Sequence, residues 1–158
     1  MAGIAAAVLA ADQVTKALVL AARPPVGTGW LAIRLVRNTG ASGGLASGYP
    51  VLVTLAAIAI TAFAAALMLR ARGRVTALIL AAVVGGALGN LADRVFRAPG
   101  LGRGGVVDWI HVSGRGGSFN IADLAIQLGA LGAVVAMIAT REKAKGKAAG
   151  QAPAQGRG

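Results

Sequence analysis

Four stretches of about twenty residues, almost free of charge, constrain this chain more than any other feature. They run over about 2–22, 50–69, 75–92 and 119–140. A helix rises 1.5 Å per residue, so about 20 apolar residues cross the roughly 30 Å of hydrocarbon in a bilayer. The expected fold is an all-α membrane protein: four transmembrane helices with a small extracytoplasmic β-like cradle and loop. The first stretch lacks a basic leader and carries Asp12 and Lys16 within it, so it reads as a retained helix rather than a cleaved signal. Composition agrees, because 13% of the 158 residues are charged, against about 25% in an ordinary soluble domain. With 56% hydrophobic residues, the chain is not disordered either. The absence of cysteine removes disulfides, thiol nucleophiles and Cys-based metal sites, and a single histidine, His111, leaves no multi-His metal site.

The formal net charge of +11 could signal nucleic-acid binding. Aromatic residues are only 4%, and the basic residues flank the apolar runs, so topology explains the charge and no nucleic-acid partner is expected. Lys and Arg are denser around 70–74 and in the tail from 141 than in the loops 23–49 and 93–118. By the bias of basic residues toward the cytoplasm, both termini are cytoplasmic and the two long loops face outward. The tail 143–158, rich in Gly, Ala and Lys, reads as a disordered cytoplasmic end beyond a membrane domain over 1–142. Residues 30–36 (WLAIRLV) suggest a short strand, with a turn at Asn38-Thr39-Gly40.

Ionisable groups in or beside a bilayer are functional candidates by default, and the chain has only five acidic residues: Asp12, Asp93, Asp108, Asp123 and Glu142. Glu142 belongs to the tail. Asp12 and Lys16 are four apart on one helical face and read as a neutralised pair. Asp93 is followed by Arg94, which suits an ionised, organising carboxylate, and Asn90 lies on its face. Gly85 and Gly89 form a small-xxx-small step that admits another helix. Asp108, in Val106-Val107-Asp108-Trp109-Ile110, reads as a carboxylate on a short extended segment. Asp123 stands in the first turn of the fourth helix behind Asn120, where it is either a helix-end charge with a cap or part of a site. Fifteen residues separate the two, enough for the chain to bring them side by side. Two such carboxylates would share a proton and work as an aspartic peptidase pair.

Taken together, Asp12-Gln13-Val14-Thr15-Lys16, Asn38-Thr39-Gly40-Ala41-Ser42, the segment from Gly85 to Arg94 with Val106-Val107-Asp108, and Phe119-Asn120-Ile121-Ala122-Asp123 resemble the lipoprotein signal peptidases (signal peptidase II). The resemblance implies a membrane aspartic endopeptidase, in the bacterial cytoplasmic (inner) membrane, with its site at the extracytoplasmic face. Its substrate would be a diacylglyceryl-modified prolipoprotein, cut before the lipid-modified cysteine. It implies Asp108 and Asp123 as the catalytic pair. Asn38, Asn90, Arg94 and Asn120 would line the substrate site, supported by Asp12, Lys16, Asp93 and Gly89. No cofactor or metal is called for, membrane lipids are the surroundings, and the chain is expected to act as a monomer. The segment Ser42-Gly43-Gly44 and the short glycine-rich stretch within 109–118 depart from the family pattern. The competing readings are a small ion or solute carrier working through Asp12, and a scaffold without catalysis.

Overall fold

The computed structural model describes residues 1–41, 44–114 and 117–150. Helix α1 spans Ala2–Ala22, strand β1 Leu31–Asn38, helix α2 Pro50–Arg70, helix α3 Arg74–Phe96, strand β2 Val106–Val112, strand β3 Ser118–Phe119 and helix α4 Ile121–Gly150. All four helices are long and apolar enough to cross a membrane, α4 over Ile121–Ala139. Helix α3 is the hub and packs against α1, α2 and α4. The strands form one antiparallel sheet in the order β1-β2-β3, with Val36 opposite Asp108, Asn38 opposite Val106 and Ile110 opposite Phe119. A bulge between Ile33 and Val36 bends β1.

Burial is inverted relative to a soluble bundle. Leu18, Leu52, Ile60 and Phe63 are exposed, whereas Asp12, Lys16, Asp93, Arg94, Asp108 and Asn120 are buried. A wide apolar surface around a polar interior is stable where the surroundings are themselves apolar.

Small residues let α3 approach its neighbours. A Cβ on Gly85 would run into the Ala5 backbone of α1, and one on Gly86 would lie 2.6 Å from the Ala122 carbonyl oxygen of α4. One on Gly89 would lie 2.5 Å from Asp12 Oδ2. The step at Gly85 and Gly89 is thus the α1–α3 contact. Gly89→Ala is expected to lower stability by about 1–3 kcal/mol through overpacking, read as a lower Tm in detergent. Gly3→Ala, with nothing within 4 Å of its Cβ, should leave Tm nearly unchanged.

Four expectations need correction. The third helix does not stop near 92 but continues to Phe96, because the charges that seemed to end it are neutralised inside the protein. Phe119 belongs to β3, and the fourth helix starts at Ile121. The first strand lies two residues beyond its expected end, reaching Asn38. Helix α4 persists to Gly150 instead of giving way to a disordered tail at 143; Ala and Lys dominate 143–149 and favour helix. Residues 151–158 lie outside the described residues, as do Ser42 and Gly43 of the unusual Ser42-Gly43-Gly44 segment.

Candidate active site

The buried polar cluster is built around Lys16. Its ammonium lies 2.8 Å from Asp12 Oδ2 and 2.9 Å from Asp93 Oδ2, with all three side chains fully buried. It also donates to Asn90 Oδ1 at 3.1 Å. Asp12 accepts the Ala122 N–H at 3.0 Å and so holds the start of α4. Asp93 accepts the Val107 N–H at 3.0 Å and so holds the start of β2. The expected pairing of Asp93 with Arg94 does not form. Asp93 pairs instead with Arg97 Nε at 2.6 Å and with Lys16. Arg94 turns to the segment after β1, donating to the carbonyls of Gly40 at 2.6 Å and Thr39 at 3.4 Å.

The reason is helical geometry. Neighbours i and i+1 point about 100° apart, whereas i and i+4 share a face. Arg97 was missed in the sequence although it carries this spacing from Asp93. Gln13 was also missed: its amide donates to Asp12, Asp93 and the Gly89 carbonyl and accepts from Arg97. A third omission is Thr54 of α2, whose hydroxyl donates to the Gly102 carbonyl at 2.6 Å and ties down the loop before β2.

Asp108 and Asp123 reach the same place from different elements. Asn120 caps α4: its Oδ1 accepts the Asp123 N–H at 2.9 Å, while Asp123 Oδ2 accepts the Asn120 N–H at 3.1 Å. This is a capping box with aspartate at its third position. The freed Asn120 Nδ2 donates to Asp108 Oδ1 at 2.6 Å. Asn38 Nδ2 donates to Asp108 Oδ2 at 3.2 Å, and Asn90 Nδ2 donates to Asp123 Oδ1 at 2.8 Å.

Each amide is oriented by what its oxygen accepts: Gly40 N for Asn38, Lys16 and Asn120 for Asn90, and Asp123 N for Asn120. An amide whose oxygen is occupied can offer only its N–H groups elsewhere. All three therefore present donors to the two carboxylates. Burial, then the nearby Asp123 carboxylate, push the Asp108 carboxyl up to about 6, against the opposing pull of the Asn38 and Asn120 amides and Lys16.

Asp108 and Asp123 line one cavity of about 550 Å³, together with Asn38, Asn90 and Arg94. Its remaining wall is mostly apolar, with Leu52, Val53 and Ile60 of α2 and Ile126 of α4. The arrangement can hold a polar bond against two carboxylates while burying apolar chains beside it.

Comparison with known proteins gives the family. The family model for signal peptidase (SPase) II matches residues 4–139. The lipoprotein signal peptidase of Rhodococcus jostii is 44% identical over 137 residues, covering 84% of this chain and 69% of that one. That of Mycobacterium avium is 40% identical over 85% of this chain and 76% of its own. That of Streptomyces griseus is 37% identical over 76% of this chain and 63% of its own. The chain thus spans roughly two thirds to three quarters of these relatives. A bacterial membrane enzyme solved at 2.3 Å superposes with a TM-score of 0.73 at 28% identity, over 89% of this chain and 88% of that one. With four apolar helices and these relatives, the chain is a multi-pass membrane protein, and it belongs to the signal peptidase II family of peptidases.

Proposed function

We propose that this protein is an aspartic endopeptidase that removes signal peptides from diacylglyceryl-modified prolipoproteins, cutting before the lipid-modified cysteine. One observation carries the reading. Of the four aspartates, Asp12 and Asp93 are committed to Lys16 and Arg97, while Asp108 and Asp123 line a common cavity and, among the described residues, meet amide donors alone. Charge supports it too: four carboxylates stand against Lys16, Arg94 and Arg97, so one proton on the Asp108–Asp123 pair makes the buried cluster neutral. A neutral cluster is far cheaper to hold out of water.

In the cycle, the ionised member of the pair takes a proton from water, which attacks the scissile carbonyl. The protonated member donates to the carbonyl oxygen, and a proton then passes to the leaving amine. Asn38, Asn90 and Asn120 hold the carboxylates in place, and Arg94 fixes the loop above the cavity. Acyl chains and the signal segment lie against the apolar wall. The site faces the extracytoplasmic side of a bacterial inner membrane, both termini are cytoplasmic, and the chain acts as a monomer. A carrier working through Asp12 finds no support, since that carboxylate is closed in by Lys16, Gln13 and the start of α4.

The test is cleavage of a purified lipidated prolipoprotein, with the cut mapped by mass spectrometry. Cleavage before the modified cysteine is expected, and an intact substrate would overturn the proposal. A pH profile adds a sign. A carboxyl raised to about 6 keeps its proton below that pH and loses it above, so the shared proton goes as pH rises. The kcat/KM should therefore fall through about pH 6, approaching tenfold per pH unit beyond it. A rate that climbs steadily over that range would contradict the shared proton.

A further inference from the structure

Asp108 and Asn38 also line a second cavity, of about 380 Å³, and they are the residues common to both cavities. The second one differs in character. Its walls come from the sheet and the segment after β1 rather than from the long helices, and they include Arg34, Arg37, His111 and Ser118. Arg34 and Arg37 are exposed and make no ion pair among the described residues, and Asp108 is the one carboxylate in the described lining. In the wall, His111 Nδ1 and Ser118 Oγ are buried without a partner among the described residues. Such atoms cost free energy until they are paired, and a bound peptide backbone offers a partner.

A scissile bond at Asp108 thus has an apolar chamber on one side and a basic, polar one on the other. A substrate that is lipid-bound on one side of its cut and water-soluble on the other matches this division. We infer that the chamber lined by Arg34, Arg37, His111 and Ser118 receives the first residues after the modified cysteine and favours acidic side chains there. A guanidinium fork meets a carboxylate through two parallel N–H bonds, and two arginines with no ion pair among the described residues give that preference a physical source. The inference rests on the proposed peptidase reading.

The experiment uses two lipidated substrates that differ only at the second and third residues after the modified cysteine, Glu-Glu in one and Gln-Gln in the other. The full-length protein should cleave the acidic substrate with a kcat/KM about five- to tenfold higher at low salt, and the ratio should shrink as salt screens the charges. Arg34→Gln combined with Arg37→Gln should bring the ratio close to one, with each single substitution in between. The ratio is internal to each variant, so a general loss of active protein leaves it unmoved. Equal rates in the wild type, or a preference that survives both substitutions or high salt, would overturn the assignment of this chamber alone. If the wild type cuts neither substrate, the peptidase reading falls, and this inference with it.

Discussion

Asp108→Asn and Asp123→Asn should each lower kcat/KM for a lipidated prolipoprotein by about 10⁴-fold or more, the size of effect seen when one member of a catalytic unit is removed. Neither change should unfold the protein. Asparagine matches aspartate in shape, and a side-chain oxygen remains to accept from Asn120 or Asn90, the amides that meet these carboxylates at 2.6 and 2.8 Å. Both variants should keep their Tm in detergent within a few degrees of wild type. Asp93→Asn provides the contrast, because its carboxylate holds Lys16, Arg97 and the Val107 N–H together. That variant should lose stability, with activity falling as a consequence. Near-normal cleavage by either Asp108→Asn or Asp123→Asn would remove that residue from the chemistry. An Asp93→Asn protein as stable as wild type yet as inactive as the other two would show that the roles are misassigned.

The second large effect is on stability. Lys16→Met removes a fully buried ammonium from between Asp12 and Asp93, leaving Arg97 as the cation in contact with either carboxylate among the described residues. Breaking a buried pair costs about 3–5 kcal/mol because it strands an uncompensated charge. A large drop in Tm is expected. Adding Asp12→Asn to Lys16→Met should recover part of that loss, since one stranded charge disappears. It should not recover the full rate, because Asn90 then keeps only the Asn120 amide of the two donors that turn its N–H groups toward Asp123. A Lys16→Met protein with unchanged Tm would show that the cluster is not what joins α1 to α3.

The outline of the fold is plain in the sequence because lipid imposes it. Length and lack of charge place α1 over Ala2–Ala22 and α2 within a residue of its end at Arg70. The Asp12–Lys16 pair is equally legible, since four-residue spacing on a helix sets it. Where charge is compensated inside the protein, hydropathy loses its grip: α3 runs through Asp93 and Arg94 because partners 77 residues earlier and four residues later neutralise Asp93. The motif containing Asp108 and Asp123 suggests their proximity, but not what holds them. The orientation of Asn38, Asn90 and Asn120 depends on Gly40, Lys16 and the cap of α4. The turn at Asn38 and the cap at Asn120 are local, closing over two and three residues, whereas the Lys16–Asn90 bond and the amide bonds to Asp108 and Asp123 join separate segments that no local pattern encodes.

The cap at Asn120 also bears on how the protein matures during synthesis. The capping bonds between Asn120 and Asp123, and one arm of Asp108, come from the first turn of α4, which is made after α1, α2 and α3. The start of that helix is in turn secured by Asp12 of α1, which is made before the other three helices. A nascent chain with α1, α2 and α3 inserted therefore holds half of the proposed pair and none of the capping bonds that orient it. On the proposed reading, the aspartate pair is complete only when α4 docks against α1, so a chain with α4 not yet inserted stays latent.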